Sequence, residues 1–171
     1  QVHRPDEGSA RFEQACSLGK EPDPPIQRRL EPELGLVLIG AYDGIGGARR
    51  PLEILGIKPA LIVSIERDAL CHSIVLRAWP DAVTRDEVAA FTVSQSRELL
   101  SQYPRLDTGL VVGGPPCQGF SGANLDRKGF DDPRSQEIAQ FVKLVTDLRE
   151  AAPQLHWNVM MENVASMTTE D

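Results

Sequence analysis

The stretch from residue 36 to residue 47 reads LVLIGAYDGIGG, and it determines how the rest of the chain is interpreted. It begins with an apolar run, the pattern of a strand buried on both faces of a parallel sheet. The glycines that follow lead into a predicted helix, whose N-terminus and preceding backbone amides can approach a ligand. A side chain at these glycines would block that approach. A tight turn without a ligand is the alternative interpretation.

Short apolar runs then alternate with amphipathic segments, an order that predicts an α/β fold of the Rossmann-like type, a parallel sheet with helices on both faces. We expect strands at 36–41, 61–65, 82–83, 110–112 and 157–161, and their apolar character suits burial on both faces. Helices are predicted at about 47–55, 68–78, 92–102 and 135–150. The last helix is expected to carry one apolar stripe, formed by Ile138, Phe141, Val142, Val145 and Leu148.

The composition limits the size and the class of the protein. A chain of 171 residues that is 41% hydrophobic is long enough for one domain and too short for a second full one. A net charge of −7 argues against a protein that coats nucleic acid with clustered Lys and Arg. No apolar run approaches the ~18 to 20 residues that cross a bilayer, and the N-terminus lacks a signal-peptide pattern. We expect a soluble intracellular protein, nuclear in a eukaryote and cytoplasmic otherwise.

Three widely spaced cysteines predict neither a disulfide framework nor a metal site. Cys16 falls in a polar, proline-rich region and Cys71 in a predicted helix, whereas Cys117 lies in a loop. Residues 1–33 predict a flexible leader, because they hold too few large apolar residues to offset the entropy of ordering. A partial domain over residues 34–171 would follow, and we expect it to be a piece of a longer polypeptide, with the sheet truncated before its last strands.

Two acidic residues follow predicted strands. Glu66 ends the second strand about twenty residues after the glycines, where an acid can bind the ribose hydroxyls of a nucleoside-containing cofactor. Asp86 follows the third strand, where its carboxylate could accept from an adenine amino group. A solvated charge and a surface-turn acid are the respective alternatives. Because the carboxyl ends of parallel strands lie at one edge of a sheet, we expect these groups to converge on one crevice.

The fourth predicted strand leads into a loop that reads GGPPCQGFS at positions 113–121. Its glycines and prolines fix an irregular backbone, with the Cys117 thiol at the tip. A buried inert cysteine is the usual interpretation of a free thiol, but this loop favours exposure and nucleophilic use. Glu162 and Asn163 follow the fifth strand, so a carboxyl group would face the same crevice. The pattern predicts a paired nucleophile and acid.

In this order the motifs resemble those of the DNA cytosine-5 methyltransferases, over about residues 36–168. The resemblance implies a class I methyltransferase fold, with S-adenosylmethionine (SAM) as cofactor and DNA as partner. Residues 42–47 would wrap the methionine part, with a tyrosine where the family usually has phenylalanine. The cofactor contacts that it implies are Tyr42, Asp43, Gly44, Ile45, Gly46, Gly47, Glu66, Arg67, Asp86, Glu87 and Pro116.

The same resemblance assigns the chemistry. Cys117 would be the nucleophile, Glu162 the acid, and Asn163 a support for the cysteine loop. The substrate contacts that it implies are Pro115, Gln118, Ser121, Arg127 and Arg134. The thiolate would add to C6 of a cytosine flipped out of the duplex while protonated Glu162 bonds N3, after which C5 accepts the methyl group.

Other functions stay open at this point. A tRNA cytosine methyltransferase shares the architecture, and a regulatory subunit could keep the fold without chemistry, although the pairing of Cys117 with Glu162 weighs against that. Amino-methylating enzymes of this fold usually have an aromatic residue where this chain has cysteine, and a dinucleotide oxidoreductase would need a G-x-G-x-x-G pattern that is missing. The family's later blocks and DNA-reading domain do not follow Val164, so we expect the isolated chain to bind SAM weakly and not to methylate.

Overall fold

A computed structural model describes residues 35–117 and 136–164, which form a five-stranded parallel sheet with helices on both faces. The predicted leader at 1–33 lies outside the described residues. The elements up to residue 85 are β1 (Leu36–Ala41), α1 (Arg49–Ile54), β2 (Leu61–Ile65), α2 (Ala69–Ala78) and β3 (Val83–Arg85). They are followed by a 3-10 turn (Val88–Ala90), α3 (Val93–Ser101), β4 (Thr108–Gly113), α4 (Gln136–Ala151) and β5 (His156–Met161).

The strand order is β3-β2-β1-β4-β5, so β1 is central. The chain adds β2 and β3 on one side of β1 and then adds β4 and β5 on the other side, and this change of side is the reversal point of the sheet. At the carboxyl end, Ala41 of β1 aligns with Ile65 of β2 on one side and with Gly113 of β4 on the other. All pairings are parallel, and the carboxyl ends of the strands therefore share one edge. In open α/β sheets the reversal point at that edge is where ligands bind.

The core explains why the first strands are continuously apolar. Val37 and Ile39 of β1 point to the face covered by α3 and α4, whereas Leu36 and Leu38 point to the face covered by α1 and α2. Successive residues of a strand alternate between faces, so a strand covered on both sides needs an apolar residue at nearly every position. β1 and β2 are buried at every residue, as the sequence predicted.

Burial on both faces was the wrong prediction for β5. This strand lies at the edge of the described sheet, and Val159, Met160 and Met161 are 43%, 59% and 40% exposed. β4 is intermediate, since buried and half-buried residues alternate along it. An apolar run indicates that a segment favours a strand, but it does not indicate how many neighbouring helices and strands cover that segment.

The five strands and four helices were predicted, with displaced ends and without the 3-10 turn. The stripe on α4 was partly wrong, because Val142 is 57% exposed and Leu144 is 2% exposed. A helix turns once in 3.6 residues, so the face centred on Phe141 continues through Leu144 and Leu148. Val145 packs only at the margin of this face. None of the described helices has the length and apolar character needed to span a membrane.

Candidate active site

A cavity of about 330 Å³ opens at the carboxyl edge of the sheet, within the size range of small-molecule pockets. Its walls come from the segments after β1, β2, β3 and β4 and from the first turn of α4. The lining residues are Tyr42, Ile65, Glu66, Arg67, Asp86, Glu87, Val88, Gly114, Pro116 and Glu137. A cavity of about 420 Å³ at the opposite edge contains none of the predicted site residues.

The wall of the smaller cavity is strongly acidic. Four carboxylates and one guanidinium line it. The guanidinium of Arg67 forms a two-pronged ion pair with Glu87, with Nε–Oε1 and Nη2–Oε2 distances of 2.9 and 3.0 Å. The remaining carboxylates leave a net negative charge, and the field of such a crevice favours a ligand that carries positive charge.

The turn after β1 is fixed by its backbone and by its neighbours. Gly44 and Gly46 have φ values of +54° and +81°, which favour glycine. Gly46 also lies against the ring of Trp79, so a Cβ there would overlap the indole. Tyr42 has φ +54°, an uncommon value for a residue with a side chain, and its hydroxyl donates to Oε2 of Glu137 at 2.8 Å.

Replacing Gly46 should test how firmly this turn is held. Gly46→Ala is expected to lower the free energy of unfolding by about 2 kcal/mol, because it combines strained backbone with the overlap on Trp79. Urea denaturation measures the change. Gly47→Ala is the control, since Gly47 is exposed, has open space around it and should change stability by less than about 0.5 kcal/mol. Equal effects at the two positions would contradict this account of the turn.

The carboxylate of Glu66 is held by three backbone N–H groups. Oε2 accepts from Gly44 at 3.0 Å, and Oε1 accepts from Arg67 at 2.8 Å and from Asp68 at 3.1 Å. These bonds connect the end of β2 to the glycine turn and fix the orientation of the carboxylate in the cavity wall. A carboxylate can accept about four hydrogen bonds, so Oε2 retains capacity for a ligand hydroxyl.

Asp43 does not line the cavity. Its carboxylate folds back against Gly40 of β1, close to the fully buried Ser64. Burial raises the pKa of Asp43; the hydroxyl of Ser64 opposes this rise, and the charge of Glu66 adds to it. The predicted cofactor contact at Asp43 therefore stays a prediction, whereas its packing beneath the turn is a feature of the fold.

The buried carboxyl of Asp43 gives a pH-dependent prediction. Because the pKa of Asp43 is raised in the folded state, stability is highest below its unfolded value and is lost as pH rises through the folded value. Asp43→Asn keeps the shape without the charge, so this variant should be more stable than the unchanged chain at pH 7. The gain should vanish near pH 4. Urea midpoints across pH measure it, with exposed Asp107→Asn as control; a constant difference at all pH values would refute the explanation.

The cysteine loop is tied to the end of β5. Nδ2 of Asn163 donates to the carbonyl of Pro115 at 3.3 Å, and the backbone N–H of Glu162 donates to the carbonyl of Gly113 at 2.9 Å. A Cβ added to Gly114 would lie 3.5 Å from Oε2 of Glu162, so this carboxylate borders the cavity wall. The half-buried Cys117 follows directly after the loop's two prolines. The predicted nucleophile and acid therefore occupy neighbouring strand ends at the cavity rim.

The second described cysteine has a less suitable environment. Cys71 lies on α2, where desolvation raises the pKa of its thiol and the carboxylates of Asp68 and Glu66 raise it further. The thiolate is the reactive form, so these charges disfavour a nucleophilic role for Cys71.

The predicted cofactor and substrate contacts form four sets: those that line the cavity, those of the glycine turn that do not, the buried Pro115, and those outside the described residues. Those that line the cavity are Tyr42, Glu66, Arg67, Asp86, Glu87 and Pro116. Those that do not are Asp43, Gly44, Ile45, Gly46 and Gly47, of which Ile45 is 59% exposed. Pro115 is buried behind the loop. Gln118, Ser121, Arg127 and Arg134 lie outside the described residues.

Sequence reasoning missed one polar residue of the wall, Glu137. The predicted helix covered it, but nothing marked it as part of the site. It meets Tyr42, which is 95 positions earlier in the chain. An acid in the first turn of a helix is common, because it interacts favourably with the helix dipole, so the sequence carried no specific signal.

The strand order around β1, the glycine turn and the acid after β2 are features of the Rossmann-like class I methyltransferase fold. A family model described as C-5 cytosine-specific DNA methylase matches residues 38–171. The chain belongs to this family.

Known proteins show the same relationship. The chain is 35% identical over 131 residues to the type II methyltransferase M.AquIA of Picosynechococcus. The aligned region makes up 76% of this chain and 49% of that protein. It is 27% identical over 122 residues to the DNA (cytosine-5)-methyltransferase DRM2 of Arabidopsis thaliana, and the aligned region makes up 67% of this chain and 19% of that protein. The chain thus spans half or less of these relatives.

Solved structures share the fold. The methyltransferase EhMeth of Entamoeba histolytica gives a TM-score of 0.54 at 20% identity, over 77% of this chain and 38% of that one. The Dnmt2 methyltransferase of S. pombe gives a TM-score of 0.50 at 19% identity, over 76% of this chain and 35% of that one. At these identities the likeness concerns the arrangement of strands and helices.

Proposed function

We propose that this chain is the cofactor-binding and catalytic part of a DNA cytosine-5 methyltransferase, which transfers a methyl group from SAM to C5 of cytosine through a covalent adduct with Cys117. One observation carries the proposal. Cys117 and Glu162 follow neighbouring parallel strands at the rim of an acidic cavity, and Asn163 ties the cysteine loop to the second of these strands.

The residues of the cavity fit SAM. Its negative wall suits a ligand that carries a sulfonium and an ammonium group. Glu66 would hold the ribose through the free capacity of Oε2. Asp86, whose side chain is 84% exposed at the mouth, would accept from the adenine amino group, and Pro116 would contact the ligand from the β4 side. When bound, SAM supplies an activated methyl group.

The chain's own residues would prepare the cytosine. C5 is a poor nucleophile while the ring is aromatic, so the thiolate of Cys117 would first add to C6. Glu162 would give a proton or a hydrogen bond to N3 and neutralise the charge that develops on the ring. C5 would then accept the methyl group as its bond to the sulfonium breaks and leaves a neutral thioether, and loss of the C5 proton to solvent would expel the thiolate. Asn163 would keep the Pro115 carbonyl, and hence the loop, in position for the attack.

DNA is the proposed substrate. The matching family model is described as a DNA methylase, and DRM2 is named a DNA (cytosine-5)-methyltransferase. A base inside a duplex is inaccessible to a nucleophile in a crevice, so the target cytosine would have to be flipped out.

Methyl transfer to two nucleic acids tests the proposal. The natural polypeptide that carries this chain would be incubated with labelled SAM and either duplex DNA or tRNA, and the methylated nucleosides would be identified by mass spectrometry. We expect 5-methylcytosine in the DNA and background levels in the tRNA. Methylation of tRNA alone would overturn the choice of substrate, and failure to bind SAM would overturn the proposed function.

A further inference from the structure

Glu137 lies where three parts of the cavity wall meet. The hydroxyl of Tyr42 is 2.8 Å from Oε2 and 2.9 Å from the main-chain oxygen of Glu137. The other carboxylate oxygen, Oε1, is 3.6 Å from Nη2 of Arg67. The side chain of Glu137 is 19% exposed, so solvent has limited access to these contacts. Each oxygen of the carboxylate thus has its own partner.

These contacts extend across the whole cavity. Arg67, which pairs with Glu137, also forms the two-pronged ion pair with Glu87. The side-chain contacts run from Tyr42 to Glu137, from Glu137 to Arg67 and from Arg67 to Glu87. They join the glycine turn, the first turn of α4 and the segments after β2 and β3. Loss of the central carboxylate would separate the contacts on its two sides, because no other described residue is in contact with both Tyr42 and Arg67 in this network.

Tyr42 depends on this carboxylate more than an ordinary tyrosine would. Its backbone has φ +54°, a conformation that costs about 1 to 3 kcal/mol for a residue with a side chain. Burial and the hydrogen bond to Glu137 raise the pKa of Tyr42, so the hydroxyl stays a neutral donor. The bond to Glu137 therefore helps to offset the strained backbone.

We propose that Glu137 is a positioning residue for SAM, which holds Tyr42 and Arg67 in the cavity wall and thereby sets the affinity for SAM. The inference rests on the proposed function, because it takes SAM as the ligand of this cavity. Glu137 acts through its two partners and takes no part in the chemistry on the cytosine.

Matched variants of α4, made in the natural polypeptide that carries this chain, test this role by calorimetric titration with SAM at a temperature well below the unfolding midpoint of every variant. Glu137→Ala should raise the Kd for SAM about ten-fold or more, because it removes the carboxylate from both partners and leaves Tyr42 only the main-chain oxygen as acceptor. Glu137→Gln should raise it only about three-fold, since the amide oxygen still accepts from Tyr42. Glu150→Ala, an exposed change near the other end of α4, should leave the Kd within about two-fold.

A double-mutant cycle tests whether Glu137 acts through Tyr42. Tyr42→Phe should raise the Kd for SAM about three-fold by itself, and it should add little in the Glu137→Ala background, because the two residues form one interaction.

The outcomes separate the two proposals. If the unchanged chain binds SAM and Glu137→Ala binds it equally well, the positioning role is wrong and the proposed function stands. Fully additive effects of Tyr42→Phe and Glu137→Ala would also overturn the positioning role. If the natural polypeptide that carries this chain shows no SAM binding, the proposed function fails and this inference fails with it.

Discussion

Cys117→Ser is expected to abolish the covalent trapping of duplex DNA that contains 5-fluorocytosine, and to reduce methyl transfer roughly a thousand-fold or more. A serine hydroxyl is almost entirely protonated at neutral pH and is a much weaker nucleophile than a thiolate. Fluorine at C5 cannot leave as the proton does, so an adduct that forms stays attached to the sulfur. A denaturing gel of protein mixed with SAM and fluorinated DNA measures the trapping.

Cys71→Ser is the matched control for this experiment. Its thiol lies on α2, away from the cavity lining, and desolvation and nearby carboxylates raise its pKa. Trapping and turnover should therefore stay close to those of the unchanged protein. Equal trapping by Cys117→Ser and the unchanged protein would rule out Cys117 as the nucleophile, and loss of trapping in Cys71→Ser alone would assign that role to Cys71.

Glu162→Gln is expected to reduce the rate of methyl transfer by about 100- to 10,000-fold, the range for loss of a general acid. Glutamine has nearly the same shape, but it cannot give a proton to N3 of the cytosine. The Kd for SAM should change little, because Glu162 borders the cavity without lining it. Single-turnover kinetics and calorimetric titration separate the two quantities.

The control for this second variant is Glu98→Gln. Glu98 is exposed on α3, on a helix that contributes nothing to the cavity lining, so both the rate and the Kd should be unchanged. A Glu162→Gln variant that keeps the full rate of transfer would remove this residue from the mechanism. A variant that loses SAM binding instead would show that its carboxylate supports the cavity rather than the reaction.

The sequence was a good guide to the elements of the fold wherever local pattern and tertiary burial agree. β1 and β2 are buried throughout and, apart from Ser64, apolar, because they are covered on both faces. β5 has the same local pattern but a different environment, and its exposed Met160 could not be foreseen from the run of apolar residues. On α4, Val142 was assigned to the buried face because it is apolar, although the helical turn places Leu144 there.

Some residues of the candidate site could likewise be placed from the sequence, and others could not. Glu66 and Pro116 could be placed because each follows a strand, and the parallel sheet brings such ends to one edge. Asp43 also follows a strand, yet its side chain folds back beneath the turn, which depends on the space above Gly40. The contact of Tyr42 with Glu137 joins distant parts of the chain, so only the folded arrangement shows it. The chemical roles came from the family resemblance rather than from the spacing.

The strand order has a consequence for how variants should behave. Most of the residues proposed to hold the methyl donor follow β1, β2 and β3, with Pro116 contacting it from the β4 side, whereas Cys117 and Glu162 follow β4 and β5. Ligand capture and bond making thus depend largely on different flanks of the sheet, which meet at the central strand. This division of labour implies that the two steps can be damaged independently, so that a chain unable to react can still retain its donor.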